Sequence, residues 1–176
     1  MHEGIETTPL EIERKFLIRR PDPERLARES VRRIDITQIY LQTDALTSSR
    51  RLRHSRWEGG EARYLTEKTH LTDRTRIERE REITPEEWDA LLPQIDRTRR
   101  VIEKTRWCVP SGDHTLEIDV FPFWSDRAFC EVELSAEDER FTLPDWLEVV
   151  REVTDDKRYT NSALALSIPD EPLSRA

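Results

Sequence analysis

Glu11, Glu13 and Lys15 stand two residues apart in the stretch LEIERKFLIR (residues 10–19). Read as a β-strand, that spacing puts two carboxylates and an ammonium on one face, with Ile12, Phe16 and Ile18 on the other. Carboxylates in a row suit a hard cation that prefers oxygen ligands, and an ammonium suits an anionic oxygen. The same spacing recurs. Arg51 with Arg53, Thr66 with Lys68, and Lys104 with Arg106 share faces of strand-like runs. So do Glu78, Glu80 and Glu82, then Glu117 with Asp119, and Glu131 with Glu133. Charge is therefore sorted by segment: three runs present only positive groups and three only negative ones. A cavity that holds a cation on one wall and a polyanion on the other needs that sorting, and a solvated face does not.

The elements that must carry these residues are short. Strands are predicted near 11–18, 34–42, 49–56, 62–69, 75–83, 98–109, 114–121 and 127–134, with hairpin chemistry in WEGGEA (57–62) and PSGDH (110–114). Helices are predicted over 21–30, 84–92, 143–150 and 159–167. The second carries a capping box, with Thr84 as cap, Pro85 in the first turn and Glu87 reaching back. The predicted fold is α+β: an eight-stranded antiparallel closed β-barrel with helices packed outside. Two versions are open, an ordinary barrel with its charges in water, which periodicity alone favours, and an inside-out barrel with a charged interior. The sorting of sign favours the second.

Composition bounds the rest. A chain of 176 residues reads as one domain spanning 1–176, with 35% hydrophobic and 38% charged residues. A net charge of -8 argues against a broad nucleic-acid surface but not against a locally basic pocket. The apolar runs are too short for a membrane span, and no signal peptide opens the sequence. Cys108 and Cys130 form no CxxC, which fits a reducing, cytoplasmic setting. Four glycines form no phosphate loop. The four histidines show no metal-ligand spacing, so packing or surface roles are expected for them.

Taken together, these residues resemble the CYTH superfamily, the triphosphate tunnel metalloenzymes. Glu11-Ile12-Glu13-Arg14-Lys15 matches the ExExK motif. RLR (51–53), EKT (67–69), IEREREI (77–83), IEKTR (102–106), LEID (116–119), CEVEL (130–134) and VTDDKRYTNSALA (153–165) follow in order. The resemblance implies an eight-stranded tunnel that binds a triphosphate and divalent metal, Mg²⁺ or Mn²⁺, as two ions. Glu11, Glu13, Glu131 and Glu133 would be the main metal-binding and catalytic carboxylates, with Glu117 and Asp119 nearby. Lys15, Arg51, Arg53, Lys68, Lys104 and Arg106 would grip phosphate oxygens. One departure is Ile39 in QIYL (38–41), where many members carry glycine.

The expected activity is metal-dependent hydrolysis of inorganic triphosphate to pyrophosphate and phosphate, by in-line attack of water. Thiamine triphosphatase, class IV adenylate cyclase and a noncatalytic polyphosphate- or nucleotide-binding module are the alternatives. Expected partners are a small triphosphate and a second copy in a homodimer, with neither nucleic acid nor membrane. Glu78, Glu80 and Glu82 fit either metal binding or pairing with neighbouring cations. The tail TDDKRYTNSALA reads as a plug, with Arg158 reaching substrate, or as a capped terminal helix.

Overall fold

The computed structural model describes residues 12–44, 48–70 and 76–173. Glu11 lies outside them. The elements in order are β1 (Ile12–Arg19), α1 (Pro23–Glu29), β2 (Arg32–Leu41), β3 (Ser48–Trp57), β4 (Gly60–His70) and β5 (Arg76–Ile83), followed by α2 (Pro85–Leu91), β6 (Ile102–Ser111), β7 (His114–Val120), β8 (Arg127–Leu134), β9 (Val149–Glu152) and α3 (Asn161–Leu166).

Each strand pair is antiparallel, and the sheet runs β5-β4-β3-β2-β6-β7-β8-β1-β9. This corrects the predicted architecture. The sheet has nine strands and, among the described residues, stays open, with β5 and β9 as its edges. Among the described residues, the edge strands β5 and β9 are not paired with each other. The ninth strand, β9, lies on the outer side of β1, pairing Phe16 with Glu152 and Leu17 with Arg151 before its register shifts. A second correction concerns 143–150, predicted as a helix. A single turn, closed by Leu147 N–H on the Pro144 carbonyl, leads instead into β9.

The tight turns fall where the sequence places them. Gly59 and Gly112 sit at φ 87° and 59°, in the two-residue links of β3 to β4 and β6 to β7. That left-handed region is open to glycine at no steric cost. The capping box of α2 is formed, with Thr84 Oγ1 accepting from Glu87 N–H at 3.1 Å and Glu87 accepting from Thr84 N–H at 2.9 Å.

Alternation decides where the core sits. The outward residues of β1, β7 and β8, including Phe16, Ile18, Leu116, Ile118, Cys130 and Val132, are buried together with Leu26 of α1 and Leu147. Covering a leucine such as Leu26 stabilises by roughly 1.5–3 kcal/mol. On the other half, Ile39, Leu41, Leu52, Leu65 and Ile83 face outward under Trp88 and Leu91 of α2. Ile39 therefore packs on the outer side and does not narrow the hollow. The inward face is charged at its centre. At one end it turns apolar, where Leu17, Ile102 and Phe129 meet Phe121, Trp124, Tyr159 and Leu164.

Candidate active site

The inward face lines one cavity of about 670 Å³. β1 supplies Glu13 and Lys15, β3 supplies Arg51 and Arg53, β4 Lys68, and β6 Lys104 and Arg106. Opposite them come Glu117 of β7 and Glu131 and Glu133 of β8. Arg51 and Glu133 thus look into the same hollow. The cross-strand register explains it: Lys15 faces Glu131, Glu13 faces Glu133, and Glu117 faces Glu131.

Each wall is already braced by opposite charge. Asp119, with 0% exposure, accepts from Lys104 Nζ at 2.5 Å and from Arg106 Nε and Nη2 at 2.7 and 2.9 Å. Arg106 also pairs with Glu117 and lies 3.6 Å from Glu131. Lys15 Nζ is 3.2 Å from Glu131 and donates to the Tyr159 carbonyl at 2.9 Å, above the Phe129 ring. On the other half, Glu80 of β5 accepts from Arg53 at 2.9 Å and from Thr66 at 2.7 Å, with Arg51 4.0 Å away. Glu78 lies 3.4 Å from Lys68. The β5 carboxylates therefore act as ion-pair partners of the basic strands, and Glu82 does not line the cavity. Arg158 stays outside it as well, exposed and held by Asp156 at 2.7 Å.

These pairings set the acid–base character. Burial and the neighbouring Glu131 carboxylate raise Glu13 to about 7, with Lys15 opposing. Burial also raises Glu117, against the pull of Arg106. Burial works to raise Asp119 too, but Lys104 and Arg106 outweigh it and hold the carboxyl well below the usual range. Burial lowers Lys104, with Asp119 opposing.

A divalent cation suits this donor set in kind, because Glu13, Glu117, Glu131 and Glu133 offer only hard oxygen ligands. Glu13 is raised by burial first and by the neighbouring Glu131 carboxylate second, and a cation would relieve that second contribution. Among the described residues, no three such side chains are gathered as a preformed cage. Binding would draw Glu131 and Glu117 away from Lys15 and Arg106. Asp119 has both oxygens engaged by cations and is the least free to turn toward a metal.

Several cavity residues carried no strong signal in the sequence. Gln38 and Tyr40 project inward from β2, directly across from Arg53 and Arg51. The parity of β3 would have found them once the β2–β3 pairing was known. Asn161 and Ser162 bring the start of α3 to the cavity, so the tail is both a capped helix and part of the lining. Among the described residues, His54 pairs with Glu61 at 2.5 Å and His114 with Glu139 at 2.9 Å, both away from the cavity. Cys108 and Cys130 are free thiols.

The CYTH domain model matches residues 9–159. This chain belongs to the CYTH family. Among its CYTH relatives, an inorganic triphosphatase of Nitrosomonas europaea is 38% identical over 165 residues, covering 90% of this chain and 99% of that protein. The crystal structure of the inorganic triphosphatase NE1496 superimposes with a TM-score of 0.61 at 35% identity, over 92% of this chain and 98% of that one. The PH1819 protein of Pyrococcus horikoshii shares the fold, with a TM-score of 0.53 at 22% identity over 73% and 81% of the two chains. Among the described residues, no helix is long and apolar enough to cross a membrane.

Proposed function

We propose that this chain is a hydrolase that cleaves inorganic triphosphate to pyrophosphate and phosphate. The observation that carries the reading is one cavity in which Arg51, Arg53, Lys68, Lys104 and Arg106 confront Glu13, Glu117, Glu131 and Glu133. Its nearly full-length likeness to an inorganic triphosphatase supports the choice of substrate.

In this reading Arg51 and Arg53 grip nonbridging oxygens with their planar forks, and Lys15 and Lys68 add point charges. Lys104 and Arg106 are held rigid by Asp119, so they meet the charge developing on the phosphoryl group without reorganising. Glu11, Glu13, Glu131 and Glu133, joined by Glu117 and Asp119, would hold Mg²⁺ or Mn²⁺, taken here as two ions. When bound, such a cation supplies Lewis acidity toward phosphoryl oxygens and water. The water oxygen forms a bond to the terminal phosphorus as the bridging P–O bond breaks toward pyrophosphate. The reading keeps one domain over 1–176, a tunnel-like enclosure and a cytoplasmic setting, with a homodimer to be tested by light scattering.

The experiment offers triphosphate, ATP and thiamine triphosphate with Mg²⁺, Mn²⁺ or a chelator, and measures phosphate, pyrophosphate and cyclic nucleotide. Metal-dependent phosphate release from triphosphate, lost in Glu131→Gln, is expected. Tight binding without turnover would replace the hydrolase with a binding module. Selective cleavage of thiamine triphosphate, or cyclic nucleotide from ATP, would replace the substrate.

A further inference from the structure

Lys15 is tied at three points to the segment that follows β9. Its N–H donates to Thr154 Oγ1 at 3.0 Å, its carbonyl accepts from Val153 N–H at 2.8 Å, and its Nζ donates to the Tyr159 carbonyl at 2.9 Å. The other cavity cations are braced differently: Lys104 and Arg106 by Asp119, and Arg53 by Glu80, all carboxylates of the sheet itself. A carbonyl is a neutral acceptor, so it fixes an ammonium in place without cancelling its charge. The Tyr159 carbonyl is in turn held by a second layer. The turn Lys157–Tyr159 closes on Asp156, whose carbonyl accepts from Tyr159 N–H at 3.0 Å and whose side chain accepts from Arg158 N–H at 3.2 Å. Arg151 of β9 donates to Asp156 at 2.9 Å and, through Nε and Nη2, to the two oxygens of Glu171 at 3.0 Å each. The Tyr159 hydroxyl donates to the same Glu171 carboxylate. Ile168 and Leu173, on either side of Glu171, pack on the apolar end of the hollow. Tyr159, 1% exposed, therefore links the two: its hydroxyl reaches the C-terminal strap and its carbonyl reaches Lys15.

We propose that Tyr159 and Glu171 are positioning residues that seat the Lys15 ammonium for the triphosphate. They act through Lys15 and not on the reacting atoms. Glu171 fixes the Tyr159 side chain and the Arg151 fork from outside, and the turn they anchor presents its carbonyl to Nζ from inside. A carbonyl displaced by about 1 Å no longer makes that hydrogen bond. The ammonium then has Glu131, 3.2 Å away, as its remaining polar partner, and folding onto that carboxylate cancels the charge that the phosphate needs. A cation already held in place meets phosphate charge without reorganising, which a loose one does not. The inference deepens the triphosphatase reading and rests on its assignment of Lys15 to phosphate.

The test is a double-mutant cycle between the strap and Lys15. Glu171→Gln removes the strap charge, Tyr159→Phe removes only the hydroxyl, and Lys15→Met removes the ammonium while keeping its length. Calorimetric binding of triphosphate in chelator is measured beside kcat/KM with Mg²⁺ and a thermal melt. Glu171→Gln and Tyr159→Phe are each expected to weaken metal-free binding about 3- to 10-fold, with a parallel fall in kcat/KM. In the Lys15→Met chain the same changes are expected to alter binding by less than about 2-fold, because the group they seat is gone. A role in stability alone would lower the melting temperature equally in both backgrounds and leave no such coupling in affinity. If Lys15→Met does not fold, Lys15→Gln takes its place in the cycle. Equal losses with and without the ammonium overturn the inference, and so do strap variants that bind and turn over triphosphate as the wild type does. A wild type that binds triphosphate without cleaving it sinks the triphosphatase reading, while the binding cycle still decides the seating of Lys15. A wild type that neither binds nor cleaves it sinks both.

Discussion

At the scale of single residues, Asp119 has to be read with its partners. A carboxylate at 0% exposure survives only because Lys104 and Arg106 both point at it. Its pKa is depressed, so its stabilising contribution is present above the unfolded value and is lost only as pH falls through the folded one. Replacing it with asparagine strands two cations. Asp119→Asn is expected to lower the unfolding free energy by about 3–5 kcal/mol in urea titration, and neutralising Lys104 in the same chain to restore part of it. An additive double variant would show that the pair is not coupled. Glu13 has the opposite sign. Raised from 4.5 to about 7, it binds its proton more tightly when folded, so between those values its contribution to stability falls as pH rises. A cation seated on it must expel that proton. Mg²⁺ affinity is therefore expected to climb toward pH 7 and then level off, with proton release visible as a buffer-dependent binding enthalpy. Glu13→Gln is expected to flatten both, and a wild-type affinity already flat between about pH 6 and 8 would argue against this assignment.

Among the elements, α2 holds the outer cover of β2 to β5, and its start depends on Thr84. Thr84→Ala is expected to cost about 1 kcal/mol of stability by thermal melt while leaving the KM for triphosphate alone, because nothing in α2 touches the cavity. The box was readable because all its residues are local. So were the charged strands, whose alternation is written twice, once in apolar and once in sorted charged residues. β9 was not readable for a definite reason. Leu143, Trp146, Leu147 and Val150 recur at helical spacing. The first three do pack on the outer core, but after a single turn, while Val150 is left exposed on a strand beside β1. That pairing joins segments far apart in sequence, and local pattern carries no signal for it. It also adds the ninth strand that the predicted eight-stranded barrel lacked. Gln38 escaped notice similarly: its neighbours in β2 carry no sorted charge, and its meaning comes from Arg53 across the ladder.

Over the whole molecule, two fields act on an incoming polyanion with opposite sign. The chain carries a net charge of -8, so from a distance it repels triphosphate. The basic strands attract it only from close range, and their cations are partly neutralised by Glu78, Glu80 and Asp119. Salt separates the two. The Debye length is about 30 Å at 0.01 M and about 10 Å at 0.1 M, so added monovalent salt screens the long-range repulsion first. The grip itself is screened much less, since Lys104 has 1% of its side chain exposed and Arg106 only 18%. The association rate of triphosphate, followed by stopped flow in chelator, is therefore expected to rise as salt goes from about 0.01 to 0.1 M. The dissociation rate should change less over the same range. A rate that falls steeply from the lowest salt would mean that the basic wall projects its field beyond the cavity and steers the substrate in. In that case Glu78 and Glu80 would not be neutralising their partners as their distances imply, and Glu80→Gln should leave the salt dependence unchanged. If the pairing holds, Glu80→Gln removes one neutralising charge beside Arg53 and should make the rise with salt shallower.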